Sequence, residues 1–323
     1  MDDCVTVFHC GGRGGVHRSW ANFPLPVSYV SFEPEDAAHA EMASLEGSAG
    51  NGITFINKNL ALNDKAGPAR LNIYSSADLS SFYEFDPLAS HRYRYHNVSK
   101  VDEVTLECTT LDQSADELGQ TPQFLCLDVQ GAELAILRGG DRLVRHHLLG
   151  IRCEVEFLAL YRDQPLFGSV ATFLHENDFR LARLERPGPG TAGLSLDSGP
   201  FSLTMDDAAP AWADAIFLRD PDWVINLAPD DRAPAVLRYV LFAFANQVAP
   251  LGLDLLHRLL EEGAFPDLVS HLSSSSLYHL RQSALRRLDQ LDQASWQTDR
   301  SLQKVYKEIR TDLRAALEAV DAG

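Results

Sequence analysis

Phe124-Leu125-Cys126-Leu127-Asp128-Val129 is apolar at every position but one. A strand with one wet face alternates apolar and polar residues. A run without alternation suits a strand buried on both faces, at the centre of a parallel sheet. Its acid closes the carboxyl end, the end at which open α/β sheets bind ligands. Glu133 to Val144 then reads as a helix and Leu149 to Phe157 as another strand. This β-α-β order predicts an α/β fold, a mostly parallel sheet with helices on both faces.

Upstream, Val5 to Phe8 reads as a first strand that runs into the turn His9-Cys10-Gly11-Gly12-Arg13-Gly14-Gly15. Tyr29 to Phe32 is a second strand, closing on Glu33-Pro34. The helix between them must be short or irregular, because Pro24 and Pro26 break its end. Glu35 to Leu45 reads as a helix. Strands are expected over Ile53 to Leu62, Ala69 to Tyr74 and Val104 to Leu111, with a polar loop from Ser75 to Asn97. Downstream, Phe167 to Asn177 reads as helix, and Phe179 to Leu184 and Ala215 to Leu218 as strands. Glu185 to Gly193, rich in Pro and Gly, reads as a surface loop.

Near Asp222 the pattern changes, which predicts an α/β domain over 1–222 and a C-terminal α-helical extension over 223–323. Ala233 to Gln247 and Leu251 to Glu262 read as helices separated at Pro250, and Ser273 to Ser276 as a turn or helix start. Leu277, Leu280, Ala284, Leu288 and Leu291 recur at three- and four-residue steps, as do Leu302, Val305, Ile309, Leu313, Leu317 and Val320. Two readings stay open: a helical hairpin packed on itself or on the main domain, or a coiled coil that joins two copies as a homodimer or binds a partner.

Composition narrows the function. The 323 residues are 45% apolar and carry a formal net charge of −17. Binding to nucleic acid or to an anionic membrane needs a basic face, so neither partner is expected. No apolar run has the length of a membrane span, and Met1-Asp2-Asp3 is not the basic start of a signal peptide. The five cysteines, an odd number mostly inside apolar runs, suit reduced thiols and a cytoplasmic location. There is no CxxC pair, and Met205-Asp206-Asp207 reads as solvated loop, so no metal site is expected.

The glycine turn allows a ligand close to the backbone. It fails the dinucleotide pattern GxGxxG. Counted from Gly12 the third position is His17, and counted from Gly11 the second is Arg13, which argues against NAD. Glu33, about twenty residues on, can accept both hydroxyls of a ribose. With Asp128 it would line one crevice. The plainer roles are helix caps, Glu33 for the helix after the second strand and Asp128 for the helix after its own.

Phe124 to Gly140, with Asp128, Gly131-Ala132-Glu133 and a helix ending Leu137-Arg138-Gly139, resembles the signature of the FkbM family of S-adenosylmethionine-dependent methyltransferases. The glycine turn, Phe32-Glu33-Pro34, Asn59-Leu60-Ala61-Leu62, Ser80-Ser81, Thr110-Leu111-Asp112, Glu154-Val155-Glu156-Phe157 and Asp214-Ala215-Ile216-Phe217 fall in the family's order. The resemblance covers roughly residues 4 to 220 and implies a Rossmann-like methyltransferase fold. It implies S-adenosylmethionine as cofactor and methyl transfer to a hydroxyl of a sugar, glycan or natural product. It places the cofactor against His9, Cys10, Gly11, Gly12, Arg13, Gly15, Glu33, Pro34, Ser80, Ser81, Asp128 and Val129. His9 stands where the family commonly has Asp, and Gln130 where it commonly has Glu.

In-line methyl transfer needs an aligned acceptor and a base for its proton. Glu154 and Glu156 share a face of one strand. Asp128 and Glu156 are the preferred catalytic residues. The competing role for the glutamates is a salt bridge to Arg152 or Arg162. The cluster His91-Arg92-Tyr93-Arg94-Tyr95-His96 suits a sugar or phosphate-bearing acceptor, or is a solvated loop. His146 and His147 read as helix-end residues. Two rival functions remain: a non-catalytic scaffold that keeps the fold and acts through its C-terminal helices, and a nicotinamide-dependent oxidoreductase.

Overall fold

In a computed structural model the described residues are 4–47, 50, 52–89, 98–189, 210–293 and 300–320. The opening stretch is β7, Phe124–Leu127, with all four residues at most 3% exposed. It lies parallel between β1 (Val5–Cys10) and β8 (Gly150–Glu156), pairing Cys10 with Leu127 on one side and Leu127 with Cys153 on the other. Around them the seven-stranded, mostly parallel sheet has the order β3-β2-β1-β7-β8-β10-β9. Its outer members are β2 (Val27–Phe32), β3 (Ile53–Lys58), β9 (Phe179–Pro189) and β10 (Pro210–Arg219). Phe8, Phe32, Leu125, Leu137, Ile151 and Phe217 anchor its core.

A second sheet, β4-β6-β5, was not foreseen. The strand expected from Ile53 to Leu62 breaks at Asn59-Leu60. Ala61–Leu62 becomes β4, parallel to β6 (Lys100–Thr109), which pairs antiparallel with β5 (Gly67–Tyr74). This detour carries Leu60 to Leu62 over the carboxyl end of the main sheet.

Three other expectations give way to local chemistry. The strand expected through Leu111 stops at a capping box. The Thr110 hydroxyl accepts from the Gln113 N–H, and the Gln113 side chain accepts from the Thr110 N–H. Leu111–Leu118 is therefore helix α2, following α1 (Asp36–Met42). The single helix expected over Glu133 to Val144 divides into α3 (Glu133–Gly139) and α4 (Asp141–His146). Asp112 holds the start of α4 by accepting from the Arg142 and Leu143 N–H groups at 3.0 and 3.1 Å. Strand β9 runs on through residues assigned to a loop, because Glu185 is buried in an ion pair with Arg152 at 2.8 Å. Between β1 and β2 the short, irregular helix expected there is a 3-10 turn, Arg18–Trp20. Helix α5 is Phe167–His175.

The chain forms two compact units. The α/β unit comprises 6–16 and 28–217; the other comprises 1–5, 17–27 and 218–323. The second is helical: α6 (Pro221–Ile225), α7 (Pro229–Ala245), α8 (Ala249–Glu261), α9 (Phe265–His271), α10 (Ser274–Gln293) and α11 (Arg300–Ala319). Pro250 sits in the first turn of α8, where its missing N–H costs nothing. Trp20, 1% exposed, packs its ring on Phe23 and Phe242. The periodic Leu280, Ala284, Leu288, Leu313 and Leu317 are buried, with α10 against α7 and α11 against α8 and α10. All five cysteines are free thiols, and four are buried.

Candidate active site

The glycine turn closes the carboxyl end of β1. Gly11 has φ +76°, and a Cβ there would lie 1.7 Å from the Asp128 carbonyl oxygen. Only glycine fits such an approach. The Gly11 N–H donates to the Phe32 carbonyl at 3.1 Å, and the Asp128 N–H to that of Cys10 at 3.1 Å. A Cβ on Gly12 would meet the Ser31 hydroxyl at 1.8 Å. The turn is thus clamped between the ends of β2 and β7, which brings Glu33 and Asp128 to one place.

That place is a cavity of about 390 Å³ inside the α/β unit. Its floor is Cys10, Gly11 and Gly14, with Asp128, Val129 and Gln130 on one side and Phe32 to Glu35 on the other. Leu60, Leu62, Leu71, Phe82 and Ile136 supply apolar wall, and Ala77, Asp78 and Ser80 a rim. Glu33, 7% exposed, accepts from the Glu35 N–H at 3.0 Å through one oxygen. Burial pushes its carboxyl above the usual range, against the pull of that bond and of Arg13. The Arg13 guanidinium is committed to Glu35 and, at 2.8 Å, to Asp78.

Behind Asp128 lies a group of acids. Glu133, Glu154 and Glu156 bring carboxylate oxygens within 4.8 Å of one another. Burial first, then the charges of Asp128, Glu156 and Glu133, push Glu154 up to about 10. Glu154 is therefore a neutral acid near pH 7, hydrogen-bonded to Asp128. Asp128 faces the open cavity but is crowded by protein. Desolvation raises its carboxyl, while bonds from Glu154 and Gln130 act the other way. The Gln130 amide donates to Asp128 Oδ1 at 3.0 Å and to Glu154 Oε2 at 3.2 Å, and the Tyr161 hydroxyl orients it at 3.2 Å. Glu133, pushed up to about 7 by burial, accepts from the Val129 N–H at 2.9 Å and the Gly131 N–H at 3.3 Å. It fixes the loop that presents Asp128.

Of the residues singled out in the sequence, Cys10, Gly11, Arg13, Glu33, Pro34, Ser80, Asp128 and Val129 line the cavity together. His9, Gly12, Gly15, Ser81 and Glu156 are not among its lining residues. His9 lies one residue from Cys10 on β1, so its ring takes the opposite face, where Nδ1 meets the Tyr29 hydroxyl at 2.8 Å. The Ser81 hydroxyl donates to the Gln130 carbonyl at 2.6 Å. The Gly15 N–H bonds to the Gly12 carbonyl within the turn. Glu156 is buried behind Glu154, its carboxyl raised by desolvation and by the charges of Glu133 and Asp128. Neither strand glutamate makes the expected salt bridge: Arg152 pairs with Glu185 and Asp214, and Arg162 with Glu84. Asp128 does not cap α3, whose N-cap is Ala132. His146 ends α4 and His147 is its C-cap. The clusters His91–His96 and Met205–Asp207 lie outside the described residues.

Glu35, Asp78, Leu60, Leu71 and Phe82 were not singled out as lining residues. Leu71 and Asp78 reach the cavity through the second sheet and its following turn, and no local pattern announces that. Glu35 had a signal, two residues beyond Glu33 at a helix start.

The fold is an α/β domain with a mostly parallel sheet, and its cavity lies at the carboxyl ends of β1, β2 and β7. Residues 2–181, more than half of the chain, match the family model for the methyltransferase FkbM domain. The chain belongs to the FkbM methyltransferase family. Among solved structures it is similar to methyltransferase FkbM from Methylobacillus flagellatus, with 11% identity and a TM-score of 0.37. The match covers 68% of this chain and 44% of that one, so the chain spans less than half of that protein's length. A search of curated proteins found no match. Among the described residues no helix is long and apolar enough to cross a membrane.

Proposed function

We propose that the chain transfers a methyl group from S-adenosylmethionine to a hydroxyl of a sugar, glycan or natural product. The observation that carries this reading is the joining of Glu33 and Asp128 across one cavity floored by the glycine turn. The cavity fits the group. One Glu33 oxygen is tied to backbone, which orients the carboxylate for ribose hydroxyls. Among the described residues the lining carries four carboxylates and one cation, Arg13, which is already paired, so a cationic ligand is favoured. Cys10, Gly11, Glu33, Pro34 and Val129 would hold it. When bound, it supplies an electrophilic methyl on a sulfonium.

The chain's own residues handle the proton. Asp128, ionised and open to the cavity, accepts the acceptor's hydroxyl proton at a carboxylate oxygen. Glu154 keeps its own proton and donates to Asp128, steadying that charge. Burial first, then the charge of Asp128 with smaller contributions from Glu156 and Glu133, holds Glu154 neutral. Glu156 acts on the site through Glu154 and is not among the lining residues of the cavity. Because the Asp128 carboxyl is raised, activity should climb with pH through a limb above the ordinary aspartate range, and Asp128→Asn should remove that limb. The free thiols support a cytoplasmic location. A homodimer would use faces of α10 and α11 other than the one that carries the buried Leu280, Ala284, Leu288, Leu313 and Leu317.

Calorimetry with S-adenosylmethionine, its demethylated product and NAD tests the reading. Binding of the first two supports it. Binding of NAD alone would overturn it in favour of an oxidoreductase, and binding of none in favour of a scaffold.

A further inference from the structure

The helical unit holds a separate pocket of about 260 Å³ between the 22–24 segment, the end of α7 and α10. Its charge is opposite to that of the active-site cavity. Arg286 and Arg287 both line it, and among the described residues no Asp or Glu does. In a chain with 45 acidic and 28 basic residues, such a lining runs against composition. Asn22, Ser283 and Gln290 complete the polar side.

Hydrogen-bond accounting shows what the pocket lacks. Arg286 spends only Nε, on the Gln282 carbonyl of its own helix at 3.1 Å. Both of its terminal nitrogens remain. Arg287 caps the Phe244 carbonyl at the end of α7 and donates to Gln290 Oε1 at 2.6 Å. That consumes the Gln290 acceptor and leaves its amide N–H groups. The pocket's charged groups are therefore donors only, while Asn22 and Ser283 can both donate and accept. The two guanidinium groups have no carboxylate partner among the described residues. Burial and the neighbouring charge of Arg286 push the Arg287 guanidinium down, a repulsion that an anion would relieve.

The opposite wall is apolar: Pro24, Leu241, Phe244 and Ala245. An inorganic ion would leave that wall wet. The open Arg286 fork and the second positive charge of Arg287 match a doubly charged phosphate better than a singly charged carboxylate. We propose that this pocket binds a small organic phosphate monoester, its phosphate held by Arg286 and Arg287 and its compact apolar body lying on Leu241 and Phe244. The chemistry is independent of the methyl-transfer reading.

The test is calorimetry on the full chain at low salt with phenyl phosphate, inorganic phosphate and benzoate as probes. Phenyl phosphate should bind about tenfold more tightly than either of the other two. Arg286→Gln, at an exposed position that leaves the helix intact by circular dichroism, should weaken phenyl phosphate about tenfold, the loss of one charge-assisted contact. Leu241→Ala should weaken phenyl phosphate and leave inorganic phosphate unchanged. Equal affinity in wild type and Arg286→Gln would overturn the site. Co-sedimentation with phosphatidylcholine vesicles containing phosphatidic acid, without phenyl phosphate binding, would overturn the small ester as the source of the phosphate.

Discussion

The cavity of the α/β unit and the pocket of the helical unit divide the charge of the chain between them. The first is lined by Glu33, Glu35, Asp78 and Asp128, and its one arginine is already paired. Among the described residues the second is lined by two arginines and no acid. A net charge of −17 describes neither site well. Composition makes a broad basic surface, as needed for nucleic acid, unexpected, but it does not determine the sign of a single pocket. Local placement does, because a partly enclosed site feels its own lining more than the distant surface. The acidic cavity suits a sulfonium and the basic pocket suits a phosphate.

The largest effect should come from shape and not charge. Gly11→Ala places a Cβ on the Asp128 carbonyl at a backbone angle that disfavours it. A loss of roughly 3 kcal/mol of stability is expected, together with loss of S-adenosylmethionine binding. Gly14→Ala also has positive φ, but nothing lies within 4 Å of its Cβ, so it should cost about 1 kcal/mol. Chemical denaturation of the two variants measures the difference. Equal costs would mean that the turn is not clamped between β2 and β7. Next in size is Glu33→Ala, which should weaken S-adenosylmethionine about a hundredfold in calorimetry with the fold intact, the loss of two charge-assisted hydrogen bonds. Retained affinity would show that the ribose does not lie at Glu33.

Much of this was legible in the residues. The central strand declared itself because both its faces are buried, and Glu33 and Asp128 followed from their places at strand ends. The sign of His9 was legible too, since alternation along β1 sets it opposite Cys10. It was nonetheless counted among the cofactor residues, because the family resemblance speaks of position along the chain and not of side-chain direction. The second sheet was not legible. Its strand β6 is largely exposed on both faces, so neither alternation nor an apolar run marks its partners. That sheet and its following turn bring Leu71 and Asp78 to the cavity. The proton on Glu154 was not legible either, because it arises from burial and from three other carboxylates that meet only in space.

Glu154→Gln sharpens the electrostatic side of the comparison. The folded chain holds a proton on Glu154 up to about pH 10, whereas the unfolded chain releases it near the ordinary value of 4.5. Stability from this group is complete below the unfolded value and is lost as pH rises toward the folded one. Gln cannot titrate. The variant should match wild type near pH 5 and exceed its melting temperature by several degrees near pH 9. A gap independent of pH would mean that Glu154 is ionised in the folded protein.

The smallest effect is the most selective. Arg13 neutralises Glu35 and Asp78 at the cavity rim, with each partner at least one-third exposed. Exposed pairs of this kind contribute little to stability, on the order of 1 kcal/mol or less. Arg13→Gln should therefore leave the melting temperature nearly unchanged and release two carboxylates toward the ligand. S-adenosylmethionine carries a sulfonium charge that its demethylated product lacks. The ratio of their affinities should rise by about twofold in the variant at low salt and return to the wild-type value as salt screens the carboxylates. If both affinities fall together, Arg13 touches the part that the two molecules share, and its role is contact and not charge balance. If the ratio does not move, the acidic character of the cavity resides at Asp128 and Glu33 alone.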